Sequence, residues 1–274
     1  MKRLICITFS IVLLVVNCVH GIPQEFGNNQ DEDKTTSVKP NYELKLKAGV
    51  NDTCREMEQE ADASFKKILM IGENLKIPRN QSELIDHCKL AKPALKLANN
   101  YGKCLTPFPR QVLRILIRGA KKSLKEYCDT SRGREQILKY LTCLTEENAQ
   151  IFYAALERGI GRIDYVANEV KNDDLVSTLC CTFHLLYGNV MKVVQAQCGN
   201  SSADTIKFIR PIVDSIAGDV LEVGCVKYPS MESCDAQLPK IMNQLRNVEF
   251  KNKTNLAKKF LIAPVITIAQ RLVE

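Results

Sequence analysis

From Thr53 to Val273 apolar residues recur at three- and four-residue steps, segment after segment, with no sustained two-residue alternation. Positions i, i+3 and i+4 share one face of a helix, so the pattern predicts an all-α protein. Stop signals divide it. The first expected helix is Thr53 to Leu75, with Phe65, Ile68, Leu69 and Ile71 facing inward; the second is Ser82 to Leu97, capped by Ser82 and carrying Leu84, Ile85, Cys88, Ala91 and Leu95 as its inner stripe, with Pro93 set to kink it. Phe108 to Tyr127, Arg134 to Leu144 and Glu146 to Lys171 follow, and Asn172-Asp173-Asp174 is expected to stop the last of these and cap the next. Leu175 to Cys198, Ser202 to Cys225, Ser233 to Val248 and Leu256 to Val273 complete the set.

The segment from Leu175 to Cys198 is apolar around most of a helical circumference, and its one formal charge is Lys192. Such a helix belongs inside. The expected architecture is therefore a single disulfide-rich bundle of about eight helices around a buried central helix at 175–198. Cys180 and Cys181 point about 100° apart on that helix and can reach two different neighbours.

The N-terminus adds a compartment. Lys2 and Arg3 precede an apolar run from Leu4 to Val16 and the small-residue exit Val19-His20-Gly21, which reads as a secretory signal peptide over residues 1–21. Residues 22–50 are polar and predict a flexible arm, leaving 51–274 as the helical domain. No later run reaches the roughly 20 apolar residues a membrane span needs. Of 12 cysteines, Cys6 and Cys18 leave with the signal. The remaining Cys54, Cys88, Cys104, Cys128, Cys143, Cys180, Cys181, Cys198, Cys225 and Cys234 predict five disulfides in an oxidising, extracellular compartment. Pairing is open in general, but Cys225 and Cys234 flank a turn-like VKYPSMES and form the favoured pair. Acceptor sequons at Asn51, Asn80, Asn200 and Asn252 all fall where helices should begin or end, and predict a glycoprotein.

Candidate chemistry is thin. With no Cys-x-x-Cys and only His87 and His184 left after the signal, neither a zinc site nor any other metal or cofactor is expected. Cys180-Cys181-Thr182-Phe183-His184 resembles the catalytic helix of secreted phospholipase A2, but Leu185 stands where the aspartate should, Tyr187 replaces the next cysteine, and no glycine-rich calcium loop precedes it. Gly159-Ile160-Gly161 is an incomplete nucleotide fingerprint inside a helical pattern. A non-enzyme is expected, with no catalytic residue. The formal charge of +7 falls to +5 without Lys2 and Arg3, too mild to imply a nucleic-acid partner. One surface does stand out: Arg110, Arg114, Arg118, Lys121, Lys122 and Lys125 fall within about 120° on a helical wheel, a candidate face for an anionic glycan, a lipid surface or an acidic partner, or an ordinary solvated one.

These residues together resemble the insect 27 kDa haemolymph glycoproteins, a secreted, helical, cysteine-rich family. The likeness rests on Cys180-Cys181 in an apolar helix, the Cys198-Gly199 end, Gly218-Asp219-Val220-Leu221 leading to Cys225, then Tyr228, Cys234 and Leu238-Pro239, and spans about Cys54 to Val248. It implies an arthropod haemolymph or secretion-fluid location and brings no catalytic residues. The expectation is a secreted glycoprotein that acts by binding or interaction. The alternatives are an extracellular carrier of a small apolar ligand and, last, a secreted hydrolase using His184.

Overall fold

The computed structural model describes residues 52–68, 77–248 and 262–273, and among them every regular element is helical. The elements are α1 (Asp52–Ile68), α2 (Gln81–Tyr101), α3 (Pro107–Tyr127), α4 (Ser131–Leu141), α5 (Glu146–Glu169), α6 (Leu175–Cys198), α7 (Ser202–Val213), α8 (Asp219–Gly224), α9 (Met231–Gln237), α10 (Pro239–Asn247) and α11 (Ile262–Arg271). The signal segment 1–21, the arm 22–50 and the sequon asparagines at 51 and 252 lie outside the described residues, as do Leu69, Ile71 and the expected end of the first helix at Leu75.

The disulfides organise the chain into two units of the same plan. In the first, Cys54 at the start of α1 bonds Cys104 just past the end of α2, and Cys88 near the start of α2 bonds Cys128 at the end of α3. In the second, Cys143 just before α5 bonds Cys198 at the end of α6, and Cys180 near the start of α6 bonds Cys225 at the end of the α7–α8 run. Each unit packs its first helix on its second and its second on its third. The fifth bridge, Cys181–Cys234, fastens α9 to α6. The favoured Cys225–Cys234 pair is therefore overturned. Cys180 and Cys181 face different sides of α6, and each takes one of those two cysteines, so the loop between them is held at both ends to adjacent residues of a buried helix.

The two units meet where their third helices cross, at corresponding places. Gly119, nine residues before Cys128, lies against Ser215 and Ile216, ten and nine before Cys225, and a Cβ added there would come within 1.9 Å of the Ser215 carbonyl oxygen. Ser215 Oγ donates to the Gly119 carbonyl at 3.3 Å. Here the expected single helix from Ser202 to Cys225 departs from α geometry, as a π turn over Asp214–Gly218 that carries one residue more than the regular ladder. Helix α11 seals both units, with Ile262 and Ile266 in the first core and Ile268 in the second. Its first amide, Ile262 N–H, donates to buried Asp62 on α1 at 2.8 Å, and Arg271 near its end donates to the Val166, Ala167 and Val170 carbonyls that close α5.

Other boundaries moved for local reasons. Asn80, not Ser82, caps α2: its Oδ1 accepts from Glu83 N–H at 2.9 Å, and the helix runs through Pro93 to Tyr101. Ile85, expected on the inner stripe, is exposed. Asp174 precedes α6 without a side-chain cap, from a 3₁₀ turn over Asn172–Asp174. The expected helix from Ser233 to Val248 is two helices, because Pro239 removes an amide and ends the α9 ladder at Leu238. Gly199 closes α6 at φ 50°, the left-handed region glycine favours. α6 is buried on the sides that face the rest of the bundle, at Leu175, Cys180, Cys181, Leu185, Val190 and Val194, but Lys192, Gln195 and Ala196 are exposed, so it is not enclosed all round.

Candidate functional site

Helices α2 and α3 run antiparallel, since Cys88 near the start of one is bridged to Cys128 at the end of the other. On α2 and the turn after it, Lys92, Lys96, Asn99 and Lys103 are spaced four, three and four residues apart, which places them on one face. On α3, Arg114, Lys121 and Lys125 share the face that looks back at them. Lys92, Leu95, Lys96, Asn99, Lys121, Leu124, Lys125 and Asp129 line an open groove of about 490 Å³. A second hollow of about 80 Å³ continues past Asn99 and is lined by Lys103, Arg110, Leu113, Arg114 and Ile117 among others. The eleven residue steps from Lys92 to Lys103 make this trough about 16 Å long at the helical rise. Two rows of cations flank it over a floor that includes Leu95 and Leu124.

The charges in it are available. Asp129 pairs with Lys92 at 3.1 Å, yet both side chains are largely exposed, and such a pair contributes only about 0.2–1 kcal/mol. Lys103 donates to Asn100 at 3.1 Å, which leaves its charge uncompensated. Cations facing each other across a groove repel; an anion laid between them gains from both rows at once, and that gain weakens as salt rises.

The sequence-derived basic face divides into three groups. Arg114, Lys121 and Lys125 line the groove, and Arg118 and Lys122 are exposed but line neither hollow. Arg110 lines the second hollow, but its Nη2 donates to the carbonyls of Leu105 at 2.6 Å and Lys103 at 3.2 Å, where it holds the turn between α2 and α3. The opposite wall of Lys92, Lys96 and Lys103 escaped the sequence reading. The signal was there in their spacing, but only the pairing of α2 with α3 makes it half of a site.

His184 is half-buried on α6, and its Nε2–H donates to the Tyr228 carbonyl at 2.8 Å. That contact ties α6 to the loop after Cys225. Asn80 and Asn200 are exposed, one before α2 and one in the turn between α6 and α7. Both of these hollows are flanked by cations. Among the described residues no helix is long and apolar enough to cross a membrane. Comparison with family models, with curated proteins and with solved structures finds no match to this chain.

Proposed function

We propose that this is an extracellular, non-catalytic glycoprotein, of the insect 27 kDa haemolymph type, that acts by binding an anionic partner in the groove between α2 and α3. The observation that carries the reading is the two facing rows of cations, Lys92, Lys96 and Lys103 against Arg114, Lys121 and Lys125, over a partly apolar floor. Five disulfides, exposed sequons at Asn80 and Asn200, and an N-terminal signal pattern support an oxidising, secretory setting.

The test is retention on immobilised heparin, used as a generic polyanion. Lys96→Glu with Lys121→Glu should elute at much lower salt than the parent. Arg118→Glu with Lys122→Glu changes the net charge by the same amount at residues of α3 that line neither hollow, and should elute close to the parent. Equal losses from the two pairs would mean that retention follows net charge, and the groove would have no special role.

A further inference from the structure

The groove has a counterpart in the second disulfide unit, and there the chain itself lies along one wall. Measured from the bridges Cys88–Cys128 and Cys180–Cys225, Lys92 corresponds to His184 and Lys96 to Gly188, four and eight residues after the first cysteine. Lys121 corresponds to Gly218 and Lys125 to Glu222, seven and three residues before the second. Along this wall of α6 lies the non-helical segment that follows Cys225. The Tyr228 carbonyl accepts from His184, and the Met231 methyl sits 3.7 Å from where a Gly188 Cβ would stand. A turn over Val226 and Lys227 leads into it, and Cys234 anchors it beyond.

Two differences leave the first groove open. Its connection is shorter, since α4 begins three residues after Cys128 whereas α9 begins six after Cys225. The chain therefore meets α2 toward its start, with Asp129 pairing with Lys92 where Tyr228 meets His184 and Arg134 donating to Gln81. The lining also differs: His184 and Gly188, which the segment touches, and Gly218 are all lysines at the equivalent positions of the open groove.

We infer that the partner of the α2–α3 groove is an extended acidic polypeptide segment, seated along α2 as Tyr228–Met231 is seated along α6. The inference rests on the groove being the binding site. The second unit supplies the steric precedent, a stretch of chain lying against the equivalent face of α6. The lysines supply the charge preference, and Asp129 is already a carboxylate on one of them. Leu95 and Leu124 give an aromatic or thioether side chain, of the kind Tyr228 and Met231 provide, an apolar surface to cover.

The experiment titrates the intact protein with the capped peptide Glu-Glu-Tyr-Pro-Ser-Met-Glu-Glu, with the same peptide in which Tyr and Met are Ser, and with a heparin hexasaccharide. The first peptide should bind one-to-one and tighter than the second, and Lys96→Glu with Lys121→Glu should weaken it about tenfold or more. Arg118→Glu with Lys122→Glu should leave it unchanged. A photoreactive methionine in the peptide should label residues 92–99 or 121–125 of the unaltered protein, a readout that needs no variant. Heparin binding that depends on Lys96 and Lys121, without peptide binding, would overturn the polypeptide assignment and leave the groove standing. Indifference of both probes to those two lysines would remove the groove itself.

Discussion

Glu58 and Asp62 stand one turn apart on α1, both buried, where α1 packs on α2. The Tyr101 hydroxyl donates to the Glu58 carboxylate, and Asp62 accepts from the first amide of α11 and pairs with Lys66 at 3.3 Å. Burial pushes the Glu58 carboxyl up from 4.5; the Tyr101 hydrogen bond pulls against that, Asp62 adds to it, and Arg55 opposes it. A carboxyl whose pKa is raised on folding binds more protons folded than unfolded, so its stability contribution is full below about 4.5 and is lost as pH rises through the raised value. His87, whose ring donates to the Ile68 carbonyl at 2.9 Å, works in the opposite sense. Burial holds it below 6.5, so stability is full above that value and is lost as pH falls through its lowered pKa. Thermal unfolding from pH 4 to 8 tests the acid: Glu58→Gln should flatten the decline above about pH 4.5 and raise the midpoint at neutral pH. An unchanged slope would place the pH dependence elsewhere.

At the scale of elements, the crossing of α3 with the π turn is the least forgiving contact. A Cβ at Gly119 meets backbone on the other side, the Ser215 carbonyl and the Ile216 Cα, and neither can rotate away as a side chain can. Gly119→Ala should cost about 1–3 kcal/mol by overpacking, despite the better helix propensity of alanine. Chemical denaturation reads this directly; a variant as stable as the parent would mean that the two third helices can slide apart freely. The helices are otherwise what their residues prescribe. Asn80 at one end and Gly199 at another do what short polar side chains and glycine do in any helical chain, so the elements were legible to within a few residues. The misjudged ones share a cause, in that Leu238-Pro239 and the π turn over Asp214–Gly218 both interrupt an apolar periodicity that continues across them.

For the whole molecule, two three-helix units with matching bridges share one sealing helix, and the bridges span 40–55 residues each. Closing loops of that length constrains the unfolded chain by roughly 4 kcal/mol per bond in the loop-entropy picture, enough that each one matters against a typical folding free energy. Tryptic digestion without reduction separates the pairings, because cleavage after Lys227 parts Cys225 from Cys234. The fold requires a three-chain cluster in which the peptide carrying Cys180 and Cys181 holds both of the others. A two-chain product joining Cys225 to Cys234 would contradict it.

What the sequence determines by itself is local: helical periodicity, the caps, the even set of ten cysteines outside residues 1–21, and a cationic stripe on α3 are all consequences of residues within a turn or two of each other. The tertiary structure decided everything that depends on which segments become neighbours. Cys225 and Cys234 are close along the chain and suggested a mutual bond, but the opposed directions of Cys180 and Cys181 on one buried helix split them. Arg110, alike with its neighbours on a helical wheel, is drawn off by two carbonyls of the preceding turn. Lys92, Lys96 and Lys103 became half of a groove only once α3 lay beside them, because a charge acquires a site from the surface opposite it, and that surface comes from a different part of the chain.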